Sequence, residues 1–437
     1  MTLKIVIYLL QNYFGAMIMS KFQRSSDPSK GGCMRGPFLL SLFLVCQSMM
    51  ASEPKQQEPL ESLFMDASSI ATKSALNTDY MPSVVSVIDA DTFRDAGIQT
   101  LAEALEMLPS FQIQISPAGY PMTTVRGLKN PNAYLSDKIK IMIDGVDIYN
   151  EISGSSYFYM DFPMQLIEKI EVLRGPASTL YGAGSFYATI NIITKSGKGI
   201  PTNRVLVGAG SYEYLTGGAN LYLTAGSWDL YFDGYYQRNN KQLFSQQTGP
   251  WGGLNVEGKS DERMKDFSIG FTAKYDEFTF ENRYKRSHYG NFYGFEGKFD
   301  PMPERDSGHE NSYFFSQISY EKAINDAHLE FKANFSHREE GLSANIYSVA
   351  ATAAKFSAVD INMSDGFYID QKMTEQNWVA EAILTLPEYR KNSLLFGAGA
   401  RYAAVTNDDF YSSIEATIAE NREQILNHPD YDNFRYR

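Results

Sequence analysis

The sequence predicts a small α+β domain followed by a membrane all-β barrel, of which about nine antiparallel strands are present. Two observations carry this. Up to Lys195 the chain alternates short strand, turn and helix signals, whereas beyond it Gly- and Tyr-rich runs of about ten residues alternate apolar and polar positions, as lipid-facing and lumen-facing positions of a membrane barrel must. No apolar run of about twenty residues follows the N-terminal segment, which excludes helical membrane spans.

Within the first domain, Thr100-Leu101-Ala102-Glu103 is a capping box, the threonine hydroxyl accepting from the third helical N–H while the glutamate reaches back. Leu101, Leu105 and Leu108 then make one apolar stripe, which Pro109 stops. Ile141-Met142-Ile143-Asp144-Gly145-Val146 reads as a strand with an Asp-Gly turn. Ile167, Ile170 and Val172 alternate with Glu168, Lys169 and Glu171, a half-buried strand. Arg174-Gly175-Pro176 ends that strand, because Pro176 has no N–H to donate and Gly175 takes backbone angles denied to other residues. Tyr181-Gly182-Ala183-Gly184 keeps the connection small before Ile190, Ile192 and Thr194 resume a strand.

The run from Ile167 to Lys195 resembles the closing signature of the plug domain of TonB-dependent outer-membrane receptors. On the same resemblance Met81 to Ile88 is the first plug strand, Thr92 to Gly97 the short helix after it, and Val125-Arg126-Gly127 and the Asp144-Gly145 segment are the two middle motifs. Phe186-Tyr187-Ala188 departs from the small residues usual there. The resemblance makes Arg126, Gly127, Asp144, Gly145, Glu168, Glu171, Arg174, Gly175, Pro176, Tyr181 and Gly182 structural motif residues. Arg126, Arg174, Glu168 and Glu171 are expected to hold the plug in the barrel through charge pairs.

The N-terminus reads as export machinery. Residues 1–33 are expected to be a mis-extended start and 34–52 a signal peptide, with Met34-Arg35 ahead of the short apolar core Pro37 to Val45; the competing reading makes Leu3 to Met19 the signal. Cys46 also suggests a lipoprotein, but Val45 stands where a small residue is wanted. Cys33 and Cys46 are the only cysteines, so the mature chain would hold no thiol. Residues 53–73 are a periplasmic linker, 74–197 the plug and 202–437 the N-terminal portion of a barrel. The net charge of −12 disfavours a nucleic-acid partner.

In the barrel, Val205 to Gly210 opens the series; Ala219, Leu221 and Leu223 then pair through Ala225-Gly226-Ser227 with Trp228, Leu230, Phe232 and Tyr236, leaving Asp229 and Asp233 to the lumen. Phe267, Ile269 and Phe271 pair through Asp276-Glu277 with Phe278 and Phe280, with Glu281, Arg283 and Lys285 on the other face. Tyr313 to Glu321 joins Leu329, Phe331, Ala333 and Phe335, and Trp378 to Leu384 joins Leu394 to Tyr402. Long polar connections fall near 239–264, 287–311, 338–375 and 405–437, alternating with short turns as outer loops do with periplasmic turns. A soluble β-sandwich would not segregate its loops so cleanly by length. The plugged transporters have about 22 strands, so nine are expected to be the first part of a longer receptor or a truncated, nonfunctional product.

No catalytic constellation is present: the five histidines lack ligand spacing, Ser178 lacks a nucleophile-elbow context, and no cofactor or metal is expected. The resemblance implies a bacterial outer-membrane receptor for energy-dependent uptake of a scarce small molecule, a metal-siderophore chelate or cobalamin, driven by the TonB energy-transducing complex and embedded in outer-membrane lipid. A passive porin or adhesin is the alternative. Ligand contacts are expected from aromatics at plug apices, Tyr120, Tyr149, Tyr157, Phe158 and Tyr159, and from Trp251, Tyr289 and Phe292 in barrel loops, for which an interfacial aromatic girdle is the competing reading. Leu60, Leu63, Phe64 and Met65 are the nearest candidates for an energy-coupling segment, with an amphipathic segment packed on the plug as the other reading.

Overall fold

The computed structural model describes residues 84–115, 121–127, 138–150, 162–196, 203–240, 245–251, 254–291, 307–325, 327–347, 367–387 and 394–412. They belong to one compact unit. The N-terminal domain is built on a five-stranded sheet of order β1-β6-β7-β4-β5, formed by β1 (Val84–Asp89), β4 (Ile139–Ile143), β5 (Val146–Asp147), β6 (Ile167–Arg174) and β7 (Ala188–Thr194). Only β4 and β7 run parallel among these pairs. β2 (Phe111–Ile115) and β3 (Pro121–Val125) form a separate hairpin.

Two short helices pack on that sheet. α1 (Ala90–Asp95) starts two residues before the expected Thr92, because Asp89 caps it: its Oδ1 accepts from the N–H groups of Asp91 at 2.7 Å and Thr92 at 3.3 Å. α2 (Leu101–Glu106) is capped by Thr100, whose hydroxyl accepts from the Glu103 N–H at 3.3 Å. Glu103 reaches back, but to the N–H of Gln99 at 2.7 Å rather than that of the capping residue. Leu101, Leu105 and Leu108 enter the core beside Ile141, Ile143, Ile170, Val172, Ile190 and Ile192, a largely aliphatic interior that also takes in Phe111 and Phe162 and that the facing elements exclude from water. The connection from β6 to β7 carries a single helical turn, α3 (Ser178–Tyr181).

The second part is one antiparallel nine-stranded sheet of order β18-β17-β16-β15-β14-β13-β10-β9-β8. Its strands are β8 (Arg204–Ala209), β9 (Leu215–Ala225), β10 (Trp228–Asn240), β13 (Arg263–Tyr275), β14 (Phe278–Tyr289), β15 (Gly308–Ile324), β16 (Ala327–Tyr347), β17 (Phe367–Thr385) and β18 (Leu395–Ser412). The register puts the expected apolar positions on one face, as in Phe232↔Phe271 and Trp378↔Tyr402. That face is outward: Leu221, Leu223, Phe267, Ile269, Phe280, Phe331 and Phe396 are all exposed. Asp233, Arg283, Lys285, Gln317, Arg338 and Glu375 point inward and are buried against the N-terminal domain or one another. Near the short turns Trp228 meets Tyr275 and Phe278 meets Tyr320, each pair at 4.8 Å between ring centres, an aromatic girdle at one membrane interface.

Two expected connections prove shorter than the sequence suggests, and a third holds a hairpin of its own. β16 runs to Tyr347, β17 starts at Phe367 and β18 reaches Ser412, while the hairpin of β11 (Ser245–Trp251) and β12 (Leu254–Lys259) occupies the 239–264 segment. β16 has 21 residues, about twice the 9–11 that a membrane crossing needs. Beyond Arg338 the apolar–polar alternation that marks a strand in sequence fades while the backbone ladder with β17 continues.

Candidate functional site

The two parts of the chain meet most densely where the β4–β5 hairpin touches the wall. Asp144 and Gly145 have φ of 51° and 79°, the consecutive left-handed residues of a two-residue primed turn, which is why an Asp-Gly pair stands there. The turn is pinned to β7 from below. Asp144 Oδ1 accepts from the Thr194 N–H at 2.7 Å, its Oδ2 from the Thr194 hydroxyl at 2.7 Å, and the Gly145 N–H donates to Asn191 Oδ1 at 3.1 Å.

Three wall strands then reach the hairpin, with a fourth behind one of them. From β15, Gln317 Nε2 donates to the Asp144 carbonyl at 3.1 Å and to Glu281 Oε2 at 3.0 Å, and the Tyr313 hydroxyl donates to the Asp147 carbonyl at 3.4 Å. Arg338 on β16 donates to the Ile148 carbonyl, lies over the Tyr313 ring and sits 3.7 Å from Glu375 of β17. Glu340 accepts from the Asn150 side-chain amide at 2.7 Å. Arg401 of β18 lies 3.4 Å from Asp147 Oδ2, the same oxygen that accepts from Lys140 Nζ at 2.8 Å. Lys140 also donates to the Tyr181 carbonyl at 2.6 Å, so Asp147 joins the wall to the β6–β7 connection through one lysine. Away from the hairpin, Arg283 lies 5.7 Å from the centre of the Phe162 ring, and the Tyr214 hydroxyl meets Gln99 Oε1 at 3.2 Å.

Hydrogen bonds to charged groups contribute about 1.5–3 kcal/mol each when buried, so the Arg338 contact outranks that of the part-exposed Arg401. The hairpin contacts are mostly polar and distributed over several strands, with Tyr313 and Phe315 of β15 joining the apolar cluster of the N-terminal domain beside them. Such an arrangement holds two bodies in register yet lets them part when several weak contacts are released in sequence, unlike a continuous apolar core.

The motif residues fall inside the N-terminal domain. Arg126 and Gly127, with φ of 55° and 71°, make a turn in which the Arg126 N–H donates to the Ser110 carbonyl at 2.8 Å and the guanidinium is exposed. Burial and the neighbouring Arg126 hold the Arg174 guanidinium below its usual pKa. Gly175 has φ of 119° and donates to the Tyr187 carbonyl, Pro176 follows it, and Gly182 closes α3 with φ of 70°. Glu171 is buried and lies 3.3 Å from Lys169; burial pushes the Glu168 carboxyl up and the Tyr181 phenol likewise. Phe186 is exposed, and its neighbour Tyr187 packs on the core.

Among the expected ligand-contacting aromatics, Tyr149 is half-buried, its N–H donating to Asp147 Oδ1 at 2.9 Å and its ring lying over Lys140 and against Gly184. Tyr289 is half-buried at the outer end of β14, opposite His309. Trp251 ends β11 opposite Leu254. Tyr120, Tyr157, Phe158, Tyr159 and Phe292, like Leu60, Leu63, Phe64 and Met65, lie outside the described residues. The wall contacts themselves use Asp147, Asn150, Gln317, Arg338, Glu340 and Arg401, which no motif singles out; the available signal was charge at lumen-facing positions of predicted strands.

Residues 78–189 match the family model described as the TonB-dependent receptor plug domain. This chain carries the plug of the TonB-dependent receptors. Over 127 residues it is 28% identical to the vitamin B12 transporter of Vibrio vulnificus, covering 29% of this chain and 20% of that protein. Over 189 residues it is 30% identical to a probable TonB-dependent siderophore receptor of Acinetobacter baumannii, covering 40% of this chain and 23% of the relative. Among solved structures, the ferric-catecholate import receptor of Escherichia coli K12 superimposes with a TM-score of 0.56 at 14% identity, over 79% of this chain and 53% of that one. The ferric yersiniabactin uptake receptor of Yersinia pestis gives 0.53 at 15% identity, over 74% and 49%. The chain thus spans about half the length of these receptors. The plug and the nine-stranded outer-membrane wall are the fold that the resemblance implied.

Proposed function

We propose that the chain is the plug and first wall segment of an outer-membrane receptor for energy-dependent uptake of a scarce small ligand, a metal-siderophore chelate or cobalamin. The plug gates the barrel, and the TonB energy-transducing complex pulls on the plug from the periplasm. The observation that carries this reading is the polar, distributed seat of the 144–150 hairpin on β15, β16 and β18. A permanently fused domain would be expected to bury an apolar interface there, whereas a gate must hold and release.

The test bridges the seat. With Asn150→Cys and Glu340→Cys, whose parent side chains hydrogen-bond at 2.7 Å, a short cleavable thiol reagent ties hairpin to wall. Cells carrying the bridged receptor should keep surface binding of a ferric chelate or cobalamin, lose energised uptake, and regain it on cleavage. Unchanged uptake in the bridged receptor would sink the gating assignment, and conductance that ignores the bridge would favour a passive pore.

A further inference from the structure

A second contact between plug and wall, away from the hairpin residues, leaves a half-open cavity of about 140 Å³. Arg94, Gln165, Leu166 and Lys195 line it from the plug, and Arg204, Gly218, Ala219, Asn220 and Tyr235 from β8 to β10. The space exists because Gly218 and Ala219 bring almost no side chain to it. Three cations line it, the exposed Arg204, the partly exposed Arg94 and Lys195, which has only 7% of its side chain exposed. Among the described residues, Asp91 is the one carboxylate in ion-pair contact with any of them, at 2.6 Å from Arg94 and 3.6 Å from Lys195. Asp91 is itself half exposed, so it offsets the buried positive charge from the cavity rim.

We propose that this cavity is an oxyanion site, taking a carboxylate or phosphate group between the plug and the first wall strands. Among the described residues three cations share one half-exposed carboxylate there, an excess of positive charge that an oxyanion would offset while supplying acceptor oxygens. The arginines offer forked donors suited to such a group, and the lysine a point charge. In the empty cavity, burial lowers the Lys195 pKa and Arg94 and Arg204 lower it further, against the pull of Asp91. Bound anion reverses that, so Lys195 itself reports occupancy. The site follows from this geometry alone and holds whether or not the chain transports.

The experiment uses the full chain in detergent micelles, with acylation of each lysine followed by mass spectrometry. Inorganic phosphate or citrate should slow Lys195 labelling severalfold and saturably relative to chloride at equal ionic strength, leaving exposed lysines unchanged. Lys140, with 5% of its side chain exposed, must stay slow throughout, which shows that the plug remains folded in each variant. Arg94→Gln with Arg204→Gln should abolish the protection, and Arg94→Lys with Arg204→Lys should retain it. Protection by phosphate alone identifies a free-anion site, and by citrate alone a seat for a carboxylate-bearing ligand. No protection by either, or equal protection in the glutamine variant, overturns the proposal.

Discussion

Gly270 shows how an absent side chain sets a contact that spans three strands. Asp233 on β10 and Arg283 on β14 flank β13, and they meet bidentately at 2.9 and 3.0 Å directly over Gly270. A Cβ there would lie 2.4 Å from Asp233 Oδ2 and 2.6 Å from Arg283 Nη2. Gly270→Ala should therefore part a pair whose members are 2% and 4% exposed, at about 3–5 kcal/mol, read as a lower urea midpoint. Adding Asp233→Leu and Arg283→Met should recover most of the loss; if the triple variant is no more stable than the single one, the pair is not the cause. Glu168 gives a pH prediction. Burial holds its carboxyl above the ordinary 4.5, against Lys169 and with Asp144 and Asp89 adding to the rise. The folded state then binds its proton more tightly than the unfolded chain, so plug stability falls as pH rises through the window just above 4.5. Glu168→Gln should flatten that slope, and an unchanged profile would remove Glu168 as its source.

At the scale of elements, the sequence was most readable where one side-chain type has one local use. Thr100, Pro109, the Asp144-Gly145 turn and the Arg174-Gly175-Pro176 stop all stand where their chemistry places them. α1 was misplaced by two residues because Asp89 competes with the later threonine as a cap, and nothing in the apolar pattern decides between them. The strand ends beyond Arg338 and Val405 were unreadable for another reason, since pairing there is maintained by backbone bonds while both faces carry polar groups. The seat of the hairpin was hidden more deeply still: Asp147 and Arg401 lie 254 residues apart, and single-sequence patterning carries no signal at that range. The capping box makes a test of the plug as a unit. A chain of residues 74–195 should show a protease-resistant core, and Thr100→Ala should lower its stability by about 1 kcal/mol. Absence of any resistant core would count against the plug as an autonomous fold.

For the molecule as a whole, the open edges dominate the energetics. β8 and β18 each have one paired neighbour among the described strands, so within this sheet two outer rows of backbone N–H and C=O groups have no strand partner among the described residues. Each such group costs several kcal/mol in hydrocarbon. Expressed alone behind an export signal, the 437-residue chain should fail to give the heat-modifiable, protease-resistant band of a closed barrel. A monomer that inserts, resists protease and imports ligand would refute that expectation. A different consequence follows from how the wall holds the hairpin. Gln317, Tyr313 and Arg338 all grip main-chain carbonyls, those of Asp144, Asp147 and Ile148. The wall thus reads the hairpin's shape more than its sequence. Side-chain identity at Asp144 and Ile148 is therefore free to drift without loss of the seat, while Asp147 and Asn150, whose side chains also meet the wall, are not, so plug and wall constrain each other at only part of their contact.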